Sequence, residues 1–333
     1  MSETTQLVHR PRRNRRTEAI RSLVRETHLT AGHLVMPLFV QEGTGQRTEI
    51  TSMPGQARLS IDLLLETARE AHALGVAGVA LFPALPEGVK DARGTESLNR
   101  AGLLPRAVRA LKQALPGLLV ITDVALDPYS SDGHDGVLID GRIDNDETLP
   151  LLAGMAVAQA EAGADWVAPS DMMDGRVGVI RAALDEAGYT DVGICSYCVK
   201  YASGFYGPFR NALDSAPRSG DKKTYQMDPG NVRECLREIE LDEAEGADCL
   251  MVKPGLPYAD VIRYVREHST LPVAAYHVSG EYAMLKFAAE RGVLDYERCL
   301  LESLVCLRRA GADIIFTYGA IEAARALRQT IKT

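Results

Sequence analysis

A chain of 333 residues, 46% hydrophobic and 25% charged, has the balance of an ordinary globular protein and enough apolar material for a large core. Its formal net charge of −8 argues against nucleic acid as the main partner, because phosphate binding needs an excess of positive surface. No apolar run approaches the roughly 20 residues of a membrane-spanning helix, and the N-terminus has no apolar signal core, so a cytoplasmic protein acting on small molecules is expected.

Residues 1–32 read as an N-terminal arm carrying Arg10, Arg12, Arg13, Arg15 and Arg16. Because the rest of the chain is acidic, an extension that embraces another subunit is preferred over a polyanion site. Eight short apolar or β-branched runs follow, at about 34–40, 76–82, 118–126, 166–169, 192–197, 249–252, 273–278 and 314–318. Amphipathic stretches alternate with them, most clearly at 61–74, 149–162, 231–245 and 321–329. The tripeptide Gly-Ala-Asp stands between a helical stretch and a strand at 163–165, 246–248 and 311–313, as a helix stopped by glycine before the chain turns back. The alternation predicts a (β/α)₈ TIM barrel over residues 33–333. An open doubly wound sheet is the runner-up, but no GxGxxG follows the first run. The six cysteines begin at Cys195 and read as reduced thiols; the CxxC spacing of Cys195 and Cys198 has no second pair to make a metal site.

Barrel active sites lie at the C-terminal edges of the strands. Those edges carry Asp123, Ser170, Asp171, Lys200, Lys253, Tyr276, Ser279 and Tyr318. Lys253 follows four apolar residues and precedes Pro-Gly, so it must be paired or desolvated; desolvation would free its neutral amine as a nucleophile. Lys200 ends the preceding strand, and two neighbouring ammonium groups lower at least one pKa further. Two amines at one mouth suit a reaction that joins two carbonyl substrates. A single-lysine aldolase leaves Lys200 unexplained, and a catalytically silent scaffold barrel explains neither lysine.

Residues 201–230 hold four glycines and three prolines and are long for a strand-to-helix connection, which reads as a lid. Arg210, Arg218, Lys222 and Lys223 lie on it, and cations there would clamp an acidic substrate. The loop after the third strand is dense in aspartate, including Asp123, Asp127, Asp132 and Asp135, a donor set suited to Mg²⁺ or another hard cation.

The segments TDVALDPYSSDGHDG, APSDMMDGRV, SYCVKYASGFYGPFRNA, KKTYQMDPGN, MVKPGLPY and YHVSGEYAM together resemble the signature segments of the porphobilinogen synthase, or 5-aminolevulinate dehydratase, family, in order along the chain. The resemblance implies a barrel with an N-terminal arm, a homo-oligomer that is usually an octamer, and condensation of two 5-aminolevulinate molecules into porphobilinogen for tetrapyrrole (heme) synthesis, a hydro-lyase reaction with no organic cofactor. It implies that Lys253 forms a Schiff base with the first substrate and Lys200 with the second. Ser279 and Tyr318 would hold the first carboxylate, and Arg210, Lys222 and Gln226 the second, with Lys222 standing where the family often has arginine. Asp123, Ser170, Phe205 and Tyr276 would line the site, Asp123 relaying protons. Zinc-dependent relatives have cysteines where this chain has Ala125, Asp127 and Asp135, so no catalytic Zn²⁺ is expected. Asp127 and Asp135 become candidates for Mg²⁺ or a monovalent cation, and Glu238 for an allosteric Mg²⁺.

Overall fold

The computed structural model describes residues 8–330. The first seven residues of the expected arm, and the last three of the chain, lie outside the described residues. Eight parallel strands form the centre: β1 Leu34–Val40, β2 Gly78–Pro83, β3 Leu119–Val124, β4 Trp166–Pro169, β5 Gly193–Lys200, β6 Cys249–Lys253, β7 Val273–His277 and β8 Ile314–Thr317. Each pairs with the next, and β8 returns to β1 through Ile315 and Leu34, which closes the sheet into the expected barrel. The open doubly wound alternative is thereby excluded.

Both faces of the strands are buried, which is why the sequence shows apolar runs rather than strict alternation. In β1, Leu34, Met36, Leu38 and Val40 join the layer under the helices, while Val35 and Phe39 point into the barrel. The helices begin and stop on local signals. Helix Asn145–Glu161 starts four residues before the expected position 149, because Asp144 caps it by accepting the Glu147 N–H at 2.9 Å. The three Gly-Ala-Asp glycines have φ of 101° at Gly163, 101° at Gly246 and 129° at Gly311, backbone conformations that a side chain would strain.

One departure from regular pairing decides the chemistry. Leu250 of β6 faces Ser196 of β5, but Val252 faces Val199, so two steps along β6 match three along β5. Tyr197 points into the barrel, and Cys198 and Val199 both pack in the outer layer. Simple alternation from Tyr197 would send Lys200 outward; the extra residue returns it to the interior, directly opposite Lys253.

Residues 8–30 lie outside the barrel as a 3₁₀ turn, Pro11–Arg15, and a short helix, Glu18–Leu23, neither with a buried residue. The long connection after β5 is not structureless, as it contains a turn at Gly204–Tyr206 and a helix at Gly207–Leu213. Its two ends are pinned together: Met227 N–H donates to the Lys200 carbonyl at 3.0 Å, and Ala202 N–H to the Met227 carbonyl at 2.8 Å.

Behind β5, Arg176 reaches Asp242 with two nitrogens, at 2.9 and 3.1 Å, and its Nη2 also donates to Ser196 at 3.1 Å. This pair ties helix Arg176–Glu186 and helix Glu234–Ala244 to the outer face of the strand that carries Lys200. Asp242→Ala should cost about 3–5 kcal/mol in urea unfolding, because it strands a buried guanidinium. The double change Arg176→Met with Asp242→Leu should recover most of that loss. Equal destabilisation by both would contradict a pair that matters chiefly when broken.

Candidate active site

Lys253 Nζ sits inside the barrel mouth among aromatic rings, 4.6 Å from the Tyr276 centroid, 4.9 Å from Tyr197, 5.2 Å from Phe209 and 5.3 Å from Tyr206. Burial first, and the Lys200 ammonium second, lower its pKa to about 7, against the opposing pull of Asp123, Asp127 and Asp135. A large part of this amine is therefore neutral at physiological pH. Among the described residues no carboxylate lies within ion-pair distance of it. Lys200 differs: its Nζ lies 3.2 Å from Asp135 Oδ2 and also donates to the Ser170 carbonyl.

Asp135 organises the second half of the site. Burial would raise its carboxyl, but the Lys200 and Lys222 ammonium groups overcome burial and hold it at about 2. Lys222 Nζ donates to Asp135 Oδ1 at 2.5 Å and lies 3.5 Å from Asp127, while Gln226 Nε2 reaches Asp135 at 3.5 Å. Asp123 has no cation so close. Burial, then the Asp127 charge, push its carboxyl up to about 7, with Ser170 and the two lysines opposing. Its Oδ1 is buried and unpartnered. A carboxyl poised near neutrality beside two amines can hold or release a proton.

Lys253, Lys200, Asp123, Asp127, Ser170, Arg210, Lys222 and Gln226 surround one small cavity of about 30 Å³. The structure thus brings together most of the residues singled out in the sequence. Four others stand beside it. Tyr276 hydrogen-bonds Tyr318 through the two hydroxyls at 3.1 Å. Ser279 Oγ accepts from Phe209 N at 3.1 Å and donates to the Phe205 carbonyl at 3.4 Å, so Phe205 is engaged through its backbone. The rings of Tyr197, Tyr206 and Phe209 around Lys253 escaped the sequence reading. For Tyr206 and Phe209 a signal was available, aromatic side chains in a Gly/Pro-rich connection where solvated residues are expected; Tyr197 shares the barrel interior with Lys200 only through the bulge, which the sequence does not show.

The candidate cation ligands fare unequally. Asp127 and Asp135 are engaged by Lys222, and Asp135 also by Lys200, so a metal ion there would compete with two ammonium groups. These two aspartates do not fit a metal centre in this arrangement. Glu238 lies elsewhere, in a polar cavity with Asp174, Asn231 and Glu234. Burial pushes its carboxyl up to about 7, with Arg176 opposing and Asp242, Asp174 and Glu234 adding to the rise. A cation beside it would offset that crowding of negative charge. Among the described residues no group of three or more His, Cys, Asp or Glu is arranged to hold a metal. An ion at Glu238 would therefore keep most of its water shell, as Mg²⁺ commonly does.

A family model described as Delta-aminolevulinic acid dehydratase matches residues 8–326. The chloroplastic delta-aminolevulinic acid dehydratase of Glycine max is 58% identical over 96% of this chain and 78% of its own length. That of Selaginella martensii is 57% identical over 96% of this chain and 77% of its own. Among solved structures, the delta-aminolevulinic acid dehydratase (porphobilinogen synthase) of Toxoplasma gondii ME49, in complex with the reaction product porphobilinogen, superposes with a TM-score of 0.96 at 54% identity, covering 98% of this chain and 94% of that one. The relatives correct the expected cytoplasmic location, since these plant enzymes are chloroplastic. The physical reason is simple: net negative charge and the lack, among the described residues, of a helix long and apolar enough to cross a membrane do not tell one aqueous compartment from another. By the extent of the family match and these identities, the chain belongs to the delta-aminolevulinic acid dehydratase family.

Proposed function

We propose that this protein condenses two molecules of 5-aminolevulinate into porphobilinogen, through imines on Lys253 and Lys200. The observation that carries the mechanism is the pairing of these lysines as direct neighbours across β5 and β6, in one cavity, with one amine near neutrality. Neutral Lys253 Nζ attacks the ketone carbon of the first substrate, and its oxygen leaves as water. Lys200 does the same with the second, giving the second water. The protonated imine nitrogen withdraws electrons, so the adjacent carbon loses a proton to Asp123, a carboxyl poised near neutrality in the same cavity. The resulting enamine attacks the other imine carbon and forms the carbon–carbon bond. A substrate amine forms the ring carbon–nitrogen bond, both lysines depart as amines, and a last proton loss makes the pyrrole aromatic. The balance is two substrates to one product and two waters, with both lysines regenerated.

Carboxylate binding divides between the two halves. Ser279 and Tyr318 hold the first carboxylate, and Arg210, Lys222 and Gln226 the second, displacing Asp135 from Lys222 as substrate arrives. Tyr276, Ser170 and Phe205 shape the walls. Residues 201–230 act as a lid that keeps water from hydrolysing the imines. Glu238 is the candidate ligand for a regulatory Mg²⁺. The N-terminal arm, residues 1–32, is assigned to subunit contacts in a homo-octamer, and residues 33–333 to the catalytic barrel.

Incubation with 5-aminolevulinate should yield a pyrrole that colours with an aldehyde reagent; a folded protein that yields none overturns the proposal. The acid limb of borohydride trapping at Lys253 should follow its pKa near 7, labelling rising as pH rises because the neutral amine attacks. In Lys200→Met the like charge is gone, so the Lys253 ammonium is favoured and the limb moves to higher pH. Labelling at pH 6 then falls roughly threefold to tenfold. An unmoved limb would remove Lys200 as a cause. Chelator-treated protein should regain full activity with Mg²⁺, and Glu238→Gln should lose that response while keeping its basal rate; recovery with Zn²⁺ alone would contradict the assignment of Glu238.

A further inference from the structure

Glu281 is a buried carboxylate that the chemistry above does not use. It is 1% exposed and accepts three backbone N–H groups. Oε2 takes Val278 N–H at 2.7 Å and Gly255 N–H at 3.4 Å, and Oε1 takes Leu256 N–H at 2.6 Å. Burial pushes its carboxyl up to about 7 against these donors, and no cation contributes to holding it ionised. The contact with Val278 is the ordinary reach of a third helical residue to its own N-cap. The contacts with Gly255 and Leu256 are not. They cross from the start of helix Ser279–Glu290 to the turn that directly follows Lys253.

The three residues at this helix start are each committed to a different neighbour. Ser279 takes the lid through Phe205 and Phe209. Gly280 lets the lid backbone come close, since a Cβ there would lie 2.5 Å from the Phe205 carbonyl oxygen. Glu281 takes the Lys253 turn. The amine of Lys253 and the hydroxyl of Ser279 therefore sit on different strand ends that a single carboxylate bridges. A keto acid bound by an imine at one end and by its carboxylate at the other has a fixed span between these groups. The separation of the two strand ends must match it.

We propose that Glu281 is a positioning residue that sets the span from the Lys253 amine to the Ser279 carboxylate clamp, and thereby the chain length of keto acid accepted in that half of the site. This rests on Lys253 as the imine former and Ser279 as a clamp. In Glu281→Gln one acceptor oxygen becomes a donor amide facing an N–H, and either the Lys253 turn or the helix start loses its tether.

The test is borohydride trapping of 4-oxopentanoate, and of the one-carbon-longer 5-oxohexanoate, on the full-length wild type and Glu281→Gln, with labelling of Lys253 quantified by peptide mass mapping. The variant should need about tenfold more 4-oxopentanoate for half-labelling, and the preference for the shorter acid should shrink by a similar factor. If the wild type labels Lys253 and the variant matches it in both respects, the inference is overturned. An equal loss for both acids also overturns it, since that marks a merely structural role. No labelling of the wild type would instead defeat the imine mechanism itself, and the inference with it. Hydrogen exchange on the wild type provides a check that needs no variant: the Leu256 and Val278 amides should be protected, and exchange of Leu256 at the rate of an open turn would overturn the bridge.

Discussion

Two lysine side chains held side by side in a desolvated barrel mouth are the constraint around which the rest of the site is arranged. Lys200 and Lys253 are register partners, and the extra residue in β5 is what turns Lys200 inward to meet its neighbour. Two ammonium groups so placed repel, and burial penalises both. The relief is asymmetric. Lys200 has the Asp135 carboxylate at 3.2 Å, whereas Lys253 has four aromatic rings. The ring faces give an ammonium some attraction but less than a carboxylate gives, so Lys253 is the amine that yields its proton near pH 7. That asymmetry makes Lys253 the first nucleophile in the proposed sequence.

The same electrostatics explain why the long connection after β5, the proposed lid, lies where it does. Lys222 descends from the lid to Asp135 and Asp127, and Gln226 to Asp135. The carboxylates that neutralise the mouth in this structure also fasten the lid over it. About 30 Å³ remains free, room for about a water molecule rather than two keto acids. Substrate must therefore separate Lys222 from Asp135, and its own carboxylate is the natural replacement partner. Arginine would hold such an anion with a planar fork; in the proposed role Lys222 would do so as a point charge.

Much of this was legible in the sequence, and the reasons differ from residue to residue. Lys253 stood out because an apolar run ending in lysine and Pro-Gly has few bland explanations. The barrel followed from eight alternating runs, since buried parallel strands read as apolar blocks. The apolar run of the fifth strand was read as 192–197, whereas the strand continues to Lys200, because a bulge leaves no mark in composition or periodicity. Asp135 was read as a cation ligand on its loop, and only the folded loop brings it between two lysines from β5 and the lid. Glu281 was not singled out at all; its partners Gly255 and Leu256 lie 26 and 25 positions earlier in the chain, beyond any local pattern. The roles of Ser279, Tyr318 and Gln226 came from family resemblance, and spacing alone would not have found them.

The central claim is that Lys253 is an amine made neutral by burial and by a neighbouring lysine. It is tested most directly by NMR titration of the Lys253 side chain in the substrate-free protein, with Lys253→Met used to assign the signal. The account predicts titration near pH 7. Titration in the ordinary lysine range, at about 10.4, would contradict it.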